Sequence, residues 1–434
     1  MKKRMREEFD RNSIMMEGKE YDNLFPDDIC EEIMQWLAWK EVLLNCCLIS
    51  KQWFTIAKSR YRASIQLTYG QEKLWLCFIK EQQEGISRIF NIGVDSFRVV
   101  GSYFIDSINA EIISKSFPNL KRLEIGDNQQ FGDCGAESIS KIKTLTSLNV
   151  LDCGITSKGA EFIGLLNGLT YLNIGNNKIM DSGMKFIGKL SSLNVLQIGS
   201  TEITSESFKL VGCMKGLTSL SIYSNPVTIE DAKSISSIHG LKSLNISNTG
   251  ISVEGLKYLS ALTLLTNLSL AKNNITNEGL LSISQMKQIT KLFLQHNVID
   301  CDGAQLLSTM TNLRLLNISQ TKITTEGIKH ITSLKNITSL NISINQLNDE
   351  ALKLVSSMNQ LTNLSTHNNK LTSEGAKHIS QLNNLTELNI SSNPVRIEGA
   401  NYLNQMTTLK IINVSNCRTG IFQWNNNIDL QFDD

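Results

Sequence analysis

The chain has little charge bias, few aromatic residues and no long apolar run. Of its 434 residues, 42 are Lys or Arg and 41 are Asp or Glu, so the net charge is +1. This balance gives no indication of a nucleic-acid partner or of an acidic, disordered chain. Because no apolar stretch approaches about 18 residues, we expect neither a membrane span nor a membrane partner.

Chemical motifs are also scarce. The nine cysteines lack metal-binding or redox spacing, and the five histidines, His367 among them, are dispersed. No phosphate-binding loop and no dinucleotide-binding glycine motif is present. We therefore predict a protein with no catalytic residues, no metal and no cofactor.

The amino-terminal residues bear on location. The first seven residues are basic but lack the apolar core of a secretory signal. The run from Lys2 to Arg6 is interpreted as part of a disordered tail over residues 1–20, with a nuclear-import signal as the alternative. With cysteine usage typical of a reduced compartment, we expect a cytoplasmic protein, or else a nuclear one.

A period of 24 residues dominates the remaining chain. Aliphatic residues recur at this interval without a slip: Leu145, Leu169, Leu193, Leu217, Leu241, Leu265, Ile289, Leu313, Ile337, Leu361, Leu385 and Leu409. From Leu313 the repeated phrase runs Leu-x-x-Leu316-x-Ile318-x-x-Thr321-x-Ile323. A period this strict predicts a stack of structural units that share one core.

Each unit is expected to contain a strand, a turn and a short helix. Alternation such as Leu148-Asn149-Val150 predicts a strand with one buried face. Three residues after the strand's last apolar position stands Asn, Thr or Cys, for example Asn177, Thr201 and Cys153. An Asn there can satisfy buried backbone groups where the chain leaves the strand.

The second half of the unit reads Thr-x-Glu-Gly, as at Thr324-Thr325-Glu326-Gly327. Thr suits a helix N-cap and an acid suits the first turn, although the recurring acids could instead form a stripe that binds a partner or a cation. Four positions depart from the pattern: Thr366 at an inward site, and Ser207, Asp231 and Ala351 at the helix Gly.

These phrases resemble the leucine-rich repeat family, and their helical halves look like its ribonuclease-inhibitor-like branch. The resemblance covers residues 120–417 and implies an α/β solenoid that is curved, with a parallel sheet inside and helices outside. Residues 61–119, including strand-like Ile65–Leu67 and Phe90–Ile92 and a helix-like Glu72–Gln83, are expected to be degenerate capping repeats. Residues 418–434, with apolar positions from Ile421 to Phe432, are expected to cap the other end.

Residues 21–60 do not follow the 24-residue period, and their pattern predicts a small helical unit. Its residues resemble the F-box, with these matches: Leu24, Pro26, Asp27, Ile29, Ile33, Leu37, Val42, Leu43, Ile49, Ser50, Lys51 and Trp53. Phe25 is an insertion in the family's Leu-Pro pair. The resemblance implies that Leu24, Pro26, Ile29, Ile33 and Leu37 contact the adaptor of a cullin–RING ubiquitin ligase. The alternative is that they form the core of a helical cap on the solenoid.

The concave side of the predicted sheet would hold a protein substrate. Most of its side chains are small and uncharged, such as Ser147, Asn149 and Ser219. Candidate partner-binding residues form two groups: Tyr171, Val195 and Tyr223 on successive units, and Lys291, Phe293 and Leu315 further along. Exposed apolar residues among small polar ones are typical of binding hot spots, although isolated ones are normal on surfaces.

The function predicted from these resemblances is a substrate receptor of a cullin–RING ubiquitin ligase, bound through adaptor and cullin. A general interaction scaffold without a ubiquitin role, or a bacterial effector that mimics an F-box protein, is the alternative. A regulator of a small GTPase would rest on analogy of fold alone.

Overall fold

Each 24-residue unit contributes one strand and one helix to a continuous stack. The computed structural model describes residues 63–68, 94–100, 105–420, 422–425 and 427–431. Within them one parallel sheet has 16 strands, paired in sequence order from β1 to β16. The first strands are β1 (Ala63–Thr68), β2 (Val94–Val100), β3 (Arg122–Glu124), β4 (Ser147–Asn149), β5 (Tyr171–Asn173), β6 (Val195–Gln197), β7 (Ser219–Ser221) and β8 (Ser243–Asn245). The others are β9 (Asn267–Ser269), β10 (Lys291–Phe293), β11 (Leu315–Asn317), β12 (Ser339–Asn341), β13 (Asn363–Ser365), β14 (Glu387–Asn389), β15 (Ile411–Asn413) and β16 (Asp429–Gln431).

From β2 to β15 one helix lies between each two consecutive strands, so each of these connections is a parallel crossover. In chain order the described helices are α1 (Ser107–Ser116), α2 (Gly132–Ile139), α3 (Ser157–Ile163), α4 (Met180–Ile187), α5 (Ser205–Cys213), α6 (Ile229–Ser236), α7 (Val253–Leu259), α8 (Asn277–Ser284), α9 (Cys301–Ser308), α10 (Thr325–Ile331), α11 (Asp349–Val355), α12 (Ser373–Ile379) and α13 (Arg396–Asn404). The predicted solenoid of parallel strands and helices is thereby confirmed.

The core is a single layer between sheet and helices. The middle residue of a strand, such as Leu148, and inward helix residues such as Ile163 are fully buried in one cluster that runs through the stack. Burying each such side chain contributes roughly 1.5–3 kcal/mol before the entropy cost of ordering. No unit encloses a core by itself, so stability depends on stacking.

Asparagines at the turns satisfy buried backbone groups, as the sequence predicted, and they also link each such turn to the preceding unit. The side-chain oxygen of Asn177 accepts hydrogen bonds from the backbone N–H groups of Cys153 (3.0 Å) and Ile155 (2.9 Å), and its amide group donates to Val150 O (2.8 Å). Where Thr201 occupies the same place, its hydroxyl donates to Ile198 O at 2.7 Å. Asn177 thus bridges two units, whereas this bond of Thr201 stays within its own unit. The hydroxyls of Thr249 and Thr321 also donate to the asparagine of the next unit, Asn273 and Asn345.

The four departures from the repeat pattern are accommodated locally. Thr366 is fully buried, and its hydroxyl accepts a hydrogen bond from Asn369 at 3.1 Å. Ser207 donates a hydrogen bond to Asp181, and Asp231 forms a capping box with Thr228. Ala351 is fully buried.

The two ends of the stack differ in how much is described. At the carboxyl end, β16 pairs with β15, Ile428 is buried, and Trp424 packs against the core. At the amino end, β1 includes Ile65–Leu67, while β2 begins at Val94. The predicted strand at residues 90–92, the helix at 72–83 and the segments 1–20 and 21–60 lie outside the described residues, as do Ile421 and Phe432.

Candidate protein-interaction surface

The first and third residues of each three-residue strand form a face that none of the described helices covers, which we call the open sheet face. Because side chains alternate along a strand, these residues point away from the buried middle residue. Most are half-buried, as in Ser219-Leu220-Ser221. A shallow groove crosses this face from Phe293 on β10 to Gln431 on β16. It corresponds to the concave side predicted from the sequence.

Uncharged polar groups dominate the third strand position. From β4 to β15 this row reads Asn149, Asn173, Gln197, Ser221, Asn245, Ser269, Phe293, Asn317, Asn341, Ser365, Asn389 and Asn413. Phe293 is its only apolar member. The row offers hydrogen bonds without net charge, so it would select a partner by polar complementarity rather than by long-range attraction.

The asparagines of this row are held in a fixed orientation. Each side-chain oxygen accepts a hydrogen bond from the backbone N–H group two residues later: Asn317 from Ser319 (3.0 Å), Asn341 from Ser343 (3.0 Å) and Asn389 from Ser391 (3.1 Å). In Asn317, Asn341 and Asn389 this bond engages the side-chain oxygen, and the amide group donates no hydrogen bond within the described residues.

The first predicted group is only partly brought together. Tyr171 on β5 and Val195 on β6 are neighbours in register and both are half-buried. Tyr223 lies two residues past β7, so it is offset from them. Its hydroxyl donates to Asn176 Oδ1 at 2.9 Å, and its ring leaves no room for a Cβ atom at Gly199. Tyr223 is therefore partly committed to packing within the solenoid.

Burial affects both tyrosines. It raises the pKa of Tyr171, and the negative charge of the nearby Glu124 raises that pKa further. Burial likewise raises the pKa of Tyr223, and the charge of Asp152 contributes in the same direction. Both phenols therefore remain protonated and can donate hydrogen bonds at neutral pH.

The second predicted group is contiguous. Lys291 and Phe293 are the outer residues of β10, and Leu315 is the register partner of Lys291 on β11. Phe293 and Leu315 are half-buried and line the groove, while Lys291 is exposed. The predicted adaptor-binding residues, Leu24, Pro26, Ile29, Ile33 and Leu37, lie outside the described residues.

The recurring acids of the helix starts are engaged in local pairs. Lysine follows three residues after several of them, as in Glu254–Lys257 (2.9 Å), Glu326–Lys329 (3.3 Å) and Glu374–Lys377 (3.1 Å). The side-chain hydrogen bond and the charge of Lys257 lower the pKa of Glu254. These pairs lie on exposed helix surface, and each acid occupies the first turn, as the helix-start interpretation predicted.

Sequence reasoning missed a second inter-unit contact at the helix starts. The carboxylate of Asp133 accepts hydrogen bonds from Thr156 N (2.8 Å), Thr156 Oγ1 (2.6 Å) and Gly159 N (2.9 Å). A Cβ atom at Gly159 would lie 2.4 Å from that carboxylate, which explains the glycine. The sequence pattern that could have indicated this contact is an Asp, a Thr 23 residues later and a Gly three residues after that Thr.

The predicted Thr N-caps are mixed. Thr156, Thr228 and Thr372 accept a helix N–H bond through the hydroxyl, whereas Thr204, Thr276 and Thr324 do not. The hydroxyl of Thr204 donates to Asp181 Oδ2 at 2.6 Å, and Thr156 and Thr372 make the equivalent bond while also capping their helices. The predicted capping role is therefore right for some units only.

Sequence reasoning also missed Ile344. The residue before each Asn, Thr or Cys of the turn has a positive φ, and at Ile344 it is 57°. Most equivalent positions carry residues that tolerate this conformation, such as Asn176, Asn248 and Asn368. A β-branched side chain there is strained, which only a backbone description reveals.

In the described part of the chain, no group of three or more His, Cys, Asp or Glu residues is placed to hold a metal ion. None of the helices in those ranges combines the length and apolar character needed to cross a membrane.

Comparisons with known proteins are consistent with this architecture. The family profile described as Leucine Rich repeat matches residues 118–140, 141–164, 168–188, 239–260, 261–284, 309–331 and 381–403. No F-box profile matches. No curated protein matches this chain in sequence.

Several solved structures resemble it. An internalin, InlF, from Listeria monocytogenes is 21% identical, and the match covers 68% of this chain and 88% of the other, with a TM-score of 0.47. A leucine-rich-repeat protein of Leptospira interrogans is 20% identical, with coverages of 75% and 85% and a TM-score of 0.45. The plant peptide hormone receptor RGFR1, solved in complex with RGF2, is 18% identical, with coverages of 74% and 63% and a TM-score of 0.38.

The matched segments, the 24-residue period and the parallel sheet agree with one another. Leucine-rich repeats typically serve as non-catalytic scaffolds that bind proteins, and no catalytic family is indicated. The chain therefore carries leucine-rich repeats stacked into a protein-interaction scaffold.

Proposed function

We propose that this chain is a substrate receptor of a cullin–RING ubiquitin ligase. The open sheet face holds a target protein, and the F-box-like segment over residues 21–60 binds the ligase adaptor. The observation that carries the first half is the face itself, a row of mostly half-buried side chains that none of the described helices covers.

The apolar residues on this face supply the anchors for a target. Tyr171 and Val195 lie side by side on β5 and β6, and Phe293 and Leu315 line the groove that begins at β10. Half-buried aromatic and aliphatic groups among small polar ones gain most from a partner that excludes water. Lys291 would contribute an exposed charge at the rim of the second group.

The adaptor half rests on the sequence of the amino-terminal segment. Leu24, Pro26, Ile29, Ile33 and Leu37 match the apolar positions with which the F-box motif contacts its adaptor. A receptor of this kind acts in the cytoplasm, with the nucleus as a second location that the run from Lys2 to Arg6 would serve.

Affinity purification of the full chain followed by mass spectrometry tests the proposal. We expect the adaptor and the cullin to co-purify with the parent chain and to be lost with Pro26→Ala/Ile33→Ala. The matched control is Gln35→Ala, at a position that the F-box motif leaves unspecified. Circular dichroism of each variant shows whether the repeats remain folded.

Retention of the adaptor by Pro26→Ala/Ile33→Ala would contradict the proposal. So would the absence of adaptor and cullin from the parent purification. A target recovered without any ligase subunit would support a scaffold with no ubiquitin role.

A further inference from the structure

The open sheet face carries asparagine amide donors that make no hydrogen bond within the described residues. The oxygens of Asn317, Asn341 and Asn389 are occupied by backbone N–H groups two residues later. Within the described residues, none of the three Nδ2 groups donates a hydrogen bond. Donors of this kind at a half-buried surface can bond to a partner in place of water.

Charge is nearly absent around these donors. From β11 to β15 the outer strand positions hold one ionisable side chain, Glu387. Its carboxylate accepts a hydrogen bond from Asn363 on β13. On β10 the exposed Lys291 adds one charge of opposite sign. The outer strand positions from β10 to β15 therefore carry no net charge, and their best complement is an uncharged chain that is rich in acceptors.

The spacing of the donors selects a conformation for that chain. Neighbouring strands lie about 4.8 Å apart, so Phe293 on β10, Asn341 on β12 and Asn389 on β14 follow one another at about 9.6 Å. A polyproline II helix rises about 3.1 Å per residue with three residues per turn, and so repeats every 9.3 Å or so. A segment in the β conformation repeats every 6.6–6.8 Å or so, which does not match the spacing of about 9.6 Å between alternate strands.

The chemistry of a proline-rich segment fits the same surface. A polyproline II helix has no internal hydrogen bonds, so its carbonyl groups are available as acceptors. Proline has no N–H group, so such a segment brings no donor to face the Asn Nδ2 groups. Phe293 and Leu315 offer an apolar start to the groove where pyrrolidine rings can pack, as in other aromatic grooves that bind this helix.

We infer that the open sheet face from β10 to β15 binds an uncharged, proline-rich segment of the target in the polyproline II conformation. The segment crosses the strands at right angles. One pyrrolidine ring packs on Phe293, and carbonyl groups three residues apart accept hydrogen bonds from Asn341 and Asn389. This inference rests on the proposed function, since it names the partner class of the same surface.

Fluorescence anisotropy with a fluorescein-labelled decaproline peptide and the purified full chain tests it. We expect saturable binding, with affinity at least about tenfold higher than for a Gly-Ser peptide or an oligoglutamate of equal length. Asn341→Asp/Asn389→Asp should weaken binding roughly 10- to 30-fold, because two donors are lost while the acceptor for the backbone N–H group remains.

The matched control is Asn149→Asp/Asn245→Asp. These residues make the same backbone contact on β4 and β8, outside the groove, at 3.1 and 3.0 Å. The control should bind decaproline as the parent does. Equal binding of the Gly-Ser peptide, no binding of decaproline, preference for oligoglutamate, or unchanged affinity in Asn341→Asp/Asn389→Asp would each overturn the inference.

The adaptor provides an independent readout in the same preparations. If the adaptor co-purifies but decaproline does not bind, the inference fails and the proposed function stands. If decaproline binds but no adaptor is recovered, the proposed ligase role fails while the partner class stands.

Discussion

The carboxylate of Asp349 at the start of α11 accepts two hydrogen bonds from Thr372 in the next unit. The backbone N–H group of Thr372 lies 2.8 Å from Oδ1 and its hydroxyl 2.6 Å from Oδ2. The same contact joins Asp133 to Thr156 and Asp181 to Thr204. Helix starts are thus linked along the stack, in addition to the asparagines at the turns.

Replacing Asp349 tests what this link contributes. Asp349→Ala removes both acceptors, so we expect the free energy of unfolding to fall by about 1–3 kcal/mol in urea denaturation. Glu350→Ala is the matched control, since the adjacent Glu350 makes an exposed ion pair with Lys353 at 3.5 Å. That pair is expected to contribute about 0.5 kcal/mol or less. Equal losses in the two variants would show that the link to Thr372 adds nothing.

The buried asparagines should matter more. Asn177→Ala strands the N–H groups of Cys153 and Ile155 and the carbonyl of Val150, all in the interior. We expect a loss of about 3 kcal/mol or more in the free energy of unfolding, because buried backbone groups would be left without partners. Asn167→Ala, at an exposed loop position, should stay within about 0.5 kcal/mol of the parent. If Asn177→Ala also stayed within about 0.5 kcal/mol of the parent, that result would contradict the bridging role.

A substitution at Ile344 should stabilise the protein. Its φ of 57° suits Asn, and the equivalent Asn368 has a φ of 51°. We expect Ile344→Asn to raise the free energy of unfolding by roughly 1 kcal/mol, since the left-handed conformation disfavours a β-branched residue. The reverse change, Asn368→Ile, should lower it by a similar amount. Destabilisation by Ile344→Asn would mean that its side-chain packing outweighs the backbone strain.

The hydrogen bonds to Asp181 make the stability of the protein depend on pH. Burial would raise the pKa of Asp181, but hydrogen bonds from Ser207 and Thr204 outweigh it and hold the pKa below its ordinary value. A lowered folded-state pKa means that the stabilisation is complete above about pH 4 and is lost as the pH falls through the folded-state pKa. Urea denaturation at several pH values should therefore show parent and Asp181→Asn converging in stability below pH 4 or so. A difference that stays constant down to pH 2.5 or so would contradict this.

Much of the fold follows from the sequence because one local pattern is repeated many times. The aliphatic period places Leu148 and its equivalents in the core, and the position of Asn177 relative to its strand identifies the turn. The contact between Asp349 and Thr372 could not be predicted in this way, because only some units carry an Asp at the position of Asp349. The strain at Ile344 depends on a backbone angle that no side-chain pattern encodes.

The candidate surface was harder to predict for a different reason. Tyr171 and Tyr223 are 52 residues apart, four more than two repeats, and this offset moves Tyr223 off its strand and onto Asn176. Lys291 and Leu315 are register partners, and Phe293 stands two residues after Lys291 on the same face, so these three lie together. The orientation of the Asn side chains on this face could not be predicted from the sequence. It depends on whether a backbone N–H group hydrogen-bonds to the side-chain oxygen of each Asn.

Direct binding of the purified full chain to a purified ligase adaptor tests the proposed receptor most directly. Isothermal titration calorimetry should give a one-to-one complex for the parent chain and for Gln35→Ala. Pro26→Ala/Ile33→Ala should show no binding while the thermal unfolding of its repeats is unchanged. A parent chain that is folded and gives no binding signal with the adaptor would contradict the receptor function.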